Sequence, residues 1–134
     1  MSDSLIIIPT YNEKENIEKI IRKVFSLEKD FHILIVDDGS PDGTANIVKK
    51  LQKEFSIQLH IEERTGKLGL GTAYILGFKW ALNKAYKFIF EMDADFSHNP
   101  DDLIRLYNAN VIDGGELAIG SRYVSGVNIV NWPM

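Results

Sequence analysis

The chain has 134 residues, 25% of them charged and 45% hydrophobic, with a formal net charge of −4 and no cysteine. That length suits one domain with its own core, and the charge lacks the basic excess of a sequence-independent nucleic-acid binder. Disulfides and thiolate metal sites are excluded, and the stretch MSDSLIIIPTYNE reads as neither signal peptide nor membrane anchor, so a cytosol-facing soluble domain is expected.

Residues 5–8 form an uninterrupted apolar run, as in a strand covered on both faces. Asn12, with Glu15 three residues on, reads as a capping box. The helix it opens places Ile17, Ile20, Ile21 and Val24 on one stripe. A second strand is predicted over 33–36, stopping at Asp37-Asp38-Gly39-Ser40. Asp42 or Thr44 caps the next helix, whose stripe is Ala45, Val48, Leu51 and Phe55. A weaker third strand covers 57–61. A helix over 72–84 and a fourth strand over 88–92 follow. Asn99-Pro100-Asp101-Asp102 has the cap, proline and acids of a helix start, and 117–119 is a fifth strand ending at Gly120-Ser121-Arg122-Tyr123. There is no repeat or linker. The alternation predicts an α/β fold with a mostly parallel sheet flanked by helices.

In such a sheet the ligand crevice lies beyond the carboxyl ends of the strands, and the polar departures collect there. Thr10 to Glu13 follow strand one, Asp37-Asp38 strand two, Asp93-Ala94-Asp95 strand four and Ser121-Arg122 strand five. On an extended backbone residues i and i+2 share a side. Asp93 and Asp95 therefore either face one hard cation, Mg²⁺ or Mn²⁺, or are two solvated acids in a turn. Glu91 shares their parity but lies inside the strand, and His98 reads as a loop residue bonded to its neighbours. Asp37-Asp38-Gly39-Ser40 is either a base or ribose contact or ordinary turn chemistry. Tyr11 is a stacking ring or a core-edge aromatic. The glycines of GKLGLGT (66–72) fit neither a Walker A loop nor a dinucleotide fingerprint. They leave a turn for close helix approach, with Lys67 near a phosphate. Arg122 either grips phosphate bidentately or sits in a surface ion pair.

Taken together, the runs PTYNE, VDDGSPDGT, LGLGTAY, MDADFSHNP and GSRY, in that order, resemble the family 2 glycosyltransferases of the GT-A nucleotide-diphospho-sugar fold. Within them the likeness is to dolichol-phosphate (polyprenol-phosphate) mannose synthases. The resemblance implies that Pro9, Tyr11, Glu13, Val36 and Asp38 meet the guanosine of GDP-mannose. It implies that Asp93, the Ala94 backbone and Asp95 hold the diphosphate through Mg²⁺ or Mn²⁺, with Asp95 the direct ligand, and that Arg122 belongs to the donor site. Asp93 and Asp95 are thus also the expected catalytic pair. Ser97 stands where some members have a glutamine ligand. The implied reaction is inverting transfer of mannose to a dolichyl or polyprenyl monophosphate, at the cytoplasmic membrane face.

The family continues beyond its counterpart of Asn131-Trp132-Pro133. Residues 1–134 are accordingly expected to be the nucleotide-sugar-binding part of a catalytic domain, without its acceptor part, and a sheet edge so left favours self-association. A related transferase using UDP-glucose is the alternative within enzymes, and a non-catalytic nucleotide-binding module the alternative outside them. A signalling receiver domain is opposed by Thr10-Tyr11 and Ser121-Arg122 standing where it wants an acid pair and a lysine.

Overall fold

The computed structural model describes residues 3–65, 70–84, 86–94, 100–101, 103–105, 107–108, 121–124 and 127–131, the last two stretches by their backbone. In chain order the elements are β1 (Ser4–Thr10), α1 (Ile17–Phe25), β2 (His32–Asp37), α2 (Thr44–Glu54), β3 (Leu59–Glu63), α3 (Leu70–Leu82), β4 (Phe88–Glu91), β5 (Ser121–Val124) and β6 (Val127–Asn131). They form one six-stranded sheet in the order β3-β2-β1-β4-β6-β5. The first four strands run parallel, and β6 then pairs antiparallel with both β4 and β5.

The apolar runs of β1 and β2 are explained by helices on both faces. Ile6, Ile8, Ile33, Ile35, Phe88 and Phe90 pack toward α1, α2 and Leu103, whereas Leu5, Ile7, Leu34, Val36 and Ile89 pack toward α3. Each strand therefore alternates between two cores, and no position is free to be polar until the strand ends. Ile17, Ile20, Ile21 and Val24 of α1 are buried as their spacing predicts. In α2 the same holds for Val48 and Leu51.

Small residues sit where α3 lies nearest the sheet, with Tyr74, Leu76, Phe78 and Trp80 packed around them. Ala73 and Ala81 are buried, and a Cβ placed on Gly77 would stand 2.7 Å from the side chain of Ile7. Glycine lets the helix approach β1 closely, and that approach sets the position of Thr72 and Tyr74 one turn earlier.

Several local expectations are corrected. Asn12 is not a helix cap: its φ of 56° is left-handed, and α1 begins after Asn16, which makes no side-chain cap bond. Strand β3 starts later than predicted, leaving Ile57 in a turn and 72% exposed, because Leu59 rather than Ile57 pairs with Ile33. Helix α2 begins after a left-handed Gly43, and Asp42 accepts the Thr44 N–H at 3.0 Å. The fifth strand predicted over 117–119 lies outside the described residues, as do 66–69, Asp95, Ser97, His98, Asn99 and Asp102. Residues 103–105 and 107–108 are helical as expected. Ser121 and Arg122 lie in β5, which pairs antiparallel with β6, a pairing that the periodicity did not suggest.

Candidate functional site at the strand ends

The strand order reverses beside β1. Two connections carry the chain to β2 and β3 on one side, and α3 carries it back across to β4 on the other. Such a switch point opens a crevice between the loops that leave in opposite directions. Thr10 and Tyr11 border it from β1, Asp93 from β4.

The loops after β1 and β2 are tied to each other by three backbone donors. Asn12 N–H donates to Ser40 Oγ at 2.9 Å, Glu13 N–H to Thr44 Oγ1 at 3.0 Å, and Lys14 N–H to Asp42 Oδ2 at 3.1 Å. The left-handed turn at Asn12 is what aims the first of these. Hydrogen bonding to Thr44 and to the backbone of Lys14 and Thr44 outweighs desolvation and holds the Asp42 carboxyl below its ordinary range.

The two adjacent aspartates at the end of β2 do different work. Asp37 is 1% exposed, and its carboxylate accepts the hydroxyls of Thr10 (2.7 Å) and Ser40 (2.6 Å) and the Ser40 N–H (3.0 Å). That is turn chemistry, and it locks the loop. Asp38 is held in a two-pronged ion pair by Arg64, with Nε to Oδ1 at 2.6 Å and Nη2 to Oδ2 at 2.8 Å. The remaining guanidinium nitrogen of Arg64 donates to Thr72 Oγ1 at 2.8 Å, and its backbone N–H to the Asp37 carbonyl at 2.7 Å. Arg64 thereby joins β2, β3 and α3 at one corner of the crevice.

Arg64 was not among the residues singled out from sequence. The signal was there: it is the first residue past a strand, the kind of position that marked Tyr11, Asp38 and Asp93. Placing β3 two residues early hid it.

Of the predicted contacts, Pro9 lies in β1 opposite Val36. Met92 N–H still donates to the Ile7 carbonyl at 3.1 Å, and the next bond of that parallel ladder would need a donor at residue 9, so the proline ends the pairing with β4. Tyr11 is 38% exposed on the crevice rim. Val36 is buried under α3, and Glu13 lies half-buried next to Thr44. Asp93 is half-buried just past β4, with Tyr74 Oη 3.5 Å away, and Ala94 is buried. Burial first, then the charges of Asp93 and Glu91, push the Tyr74 phenol well above its ordinary range, so it remains a donor toward Asp93. Asp95 lies outside the described residues. Arg122 is placed by register alone: it pairs with Ile129, which pairs with Phe90, two strands out from β4.

A divalent cation fits this chemistry as a shared ligand rather than a caged one. Among the described residues no three His, Cys, Asp or Glu side chains cluster as a metal site. Asp93 is an oxygen donor at the crevice, and Mg²⁺ commonly takes one or two carboxylates and completes its shell with substrate phosphate and water.

The sequence model described as "Glycosyl transferase family 2" matches residues 5–134. The chain belongs to that family. Among family 2 relatives, the polyprenol monophosphomannose synthase of Mycolicibacterium smegmatis is 50% identical over 130 residues, 97% of this chain and 49% of that protein. The undecaprenyl-phosphate mannosyltransferase of Micrococcus luteus is 44% identical over 129 residues, 96% of this chain and 52% of that one. This chain therefore spans about half the length of these relatives. In structure, it superposes on the mannosyltransferase PcManGT of Pyrobaculum calidifontis, solved in complex with GDP-Man and Mn²⁺, with a TM-score of 0.74 at 19% identity. The match covers 96% of this chain and 44% of that one. The GT-A architecture expected from the motifs is thus the observed one. No helix among the described residues is long and apolar enough to cross a membrane.

Proposed function

We propose that this chain carries the donor- and metal-binding half of an inverting glycosyltransferase that moves mannose from GDP-mannose to a polyprenyl monophosphate. The observation that carries the reading is the convergence of Tyr11, the Asp38–Arg64 pair and Asp93 on one crevice at the strand switch point. The names of the relatives suggest the sugar and the lipid class, and the PcManGT complex the donor and cation class. On this reading the chain works peripherally at the cytoplasmic membrane face.

In this proposal Tyr11 and Asp38 border the nucleoside, and Pro9, Glu13 and Val36 shape the floor and wall beneath it. Asp93, the Ala94 backbone and Asp95 hold the diphosphate end through Mg²⁺ or Mn²⁺, and Arg122 adds charge to the donor site. The cation supplies charge neutralisation at the departing diphosphate oxygen. Tyr74 keeps the Asp93 carboxylate oriented by donating to it. The acceptor phosphate is already anionic and nucleophilic, so no strong protein base is required, and direct displacement inverts the anomeric carbon.

Calorimetric titration of GDP-mannose, GDP, UDP-glucose and UDP, each with Mn²⁺ and with a chelator, tests the reading. Metal-dependent binding of the guanosine ligands, lost in Asp95→Ala, is expected. Preference for uridine ligands would move the assignment to a sibling transferase, and binding indifferent to metal and to Asp95 would end it.

A further inference from the structure

At the opposite end of the sheet lies a cavity of about 390 Å³ lined by His32, Ile57, His60, Trp80, Lys84 and Tyr86. His32 opens β2, and Tyr86 lies just before β4; Trp80 and Lys84 come from the end of α3 and the turn after it. The six residues of β2 from His32 to Asp37, five steps along the strand, put it roughly 17 Å from the strand-end crevice. An occupant of one site therefore does not reach the other.

Four of the six walls are rings. His60 and Trp80 have centroids 4.9 Å apart, Trp80 and Tyr86 are nearly parallel at 6.4 Å, and His32 meets Tyr86 edge-on at 5.6 Å. A 2.8 Å hydrogen bond between His32 Nδ1 and the Tyr86 hydroxyl fixes the inner wall. Both rings of that bond are buried, whereas Ile57 at the mouth is 72% exposed. The space is therefore walled on its inner side and open at its rim, with a volume in the range of small-molecule sites, about 300–1,000 Å³.

The charge in the cavity has one sign. Burial lowers the pKa of both histidines, and for His60 the neighbouring His32 and Lys84 add to that, so both imidazoles are neutral at pH 7. Among the described residues no acid lines the cavity, although Asp30 is near enough to act on His32 and Tyr86. Lys84 supplies the cation, and its Nζ stands 5.2 Å from the Trp80 ring centroid. A cationic ligand would compete with Lys84 for that ring face. A flat apolar body bearing a negative group satisfies both the ring walls and the ammonium.

We propose that this cavity is a second ligand site, for a small planar aromatic molecule carrying one carboxylate-like negative charge. The probe is 2-naphthoate, titrated into the chain while the Trp80 indole signal is followed by ¹H–¹⁵N NMR. The neutral 2-naphthylmethanol and the cationic 2-naphthyltrimethylammonium serve as comparisons. Saturable binding of naphthoate is expected, with shifts at Trp80 and His60. Lys84→Ala, an exposed position that leaves the core intact, should weaken it about tenfold, the scale of one charge-assisted hydrogen bond. Trp80→Ala should abolish it. Equal binding of the alcohol, unchanged affinity in Lys84→Ala, shifts at Tyr11 instead of Trp80, or no saturation by naphthoate would each overturn the proposal.

Discussion

Replacing Arg64 by alanine leaves the Asp38 carboxylate in place without either of the guanidinium bonds that now hold it at 2.6 and 2.8 Å. The two side chains are 11% and 9% exposed, so water screens the pair poorly. Coulomb attraction at 4 Å is about 4 kcal/mol for an effective dielectric of about 20. Removing one partner of a buried pair typically costs about 3–5 kcal/mol. Arg64→Ala also loses the bond to Thr72, so a loss near the upper half of that range is expected, against a total stability of about 5–15 kcal/mol. Asp38→Ala should cost a similar amount, since it strands the guanidinium. The double variant should cost less than the sum of the two, with a coupling of about 2–3 kcal/mol. Urea denaturation followed by circular dichroism measures all three. Additive single effects, or an Arg64→Ala loss below about 1 kcal/mol, would mean that the pair is open and solvated in solution and does not hold the crevice corner together.

Gly77→Val should destabilise the fold by about 1–3 kcal/mol, because its Cβ would fall 2.7 Å from two Ile7 carbons; Gly77→Ala should cost less, since better helix propensity returns up to about 1 kcal/mol. A thermal midpoint for Gly77→Val at or above that of the parent would contradict the close approach. Stability should also fall as pH drops from 7.5 to 5.5. His32 and His60 have lowered pKa values in the fold because of burial, so the unfolded chain takes up their protons first, below about pH 6.5. Urea midpoints across that interval should move less in His32→Gln, and an identical pH slope in parent and variant would count against the burial argument. Tyr107→Phe removes a 2.9 Å bond to Asp3 while leaving the Lys29 ammonium over the ring at 4.3 Å. A loss of about 1 kcal/mol in urea unfolding is expected; no loss would show that the bond is exchanged for water without cost.

Features set by near neighbours were legible in the chain. The continuous apolar runs of β1 and β2 and the stripe of α1 follow from periodicity, and burial on both sheet faces explains the absence of alternation. The rule that polar residues gather at carboxyl strand ends located Tyr11, Asp38 and Asp93 correctly in space. It missed Arg64 only because β3 was drawn early, where Ile57 looks apolar enough for a strand but in fact sits exposed beside the second cavity. Asn12 was read as a cap from its residue type. Its left-handed backbone serves a bond to Ser40, 28 residues away, that no local pattern announces.

The sequence by itself determined the family, through five ordered motifs, and with it the layered architecture. What each of two adjacent aspartates binds within the fold was decided only by tertiary structure. Asp37 and Asp38 have the same chemistry, and what separates them is the partner each meets: Thr10 and Ser40 for one, Arg64 for the other. The same holds for the ring-lined cavity, whose six residues are spread from His32 to Tyr86. Hydrophobic periodicity is written residue by residue along the chain, whereas the pairing of charges and rings depends on how strands are ordered in the sheet.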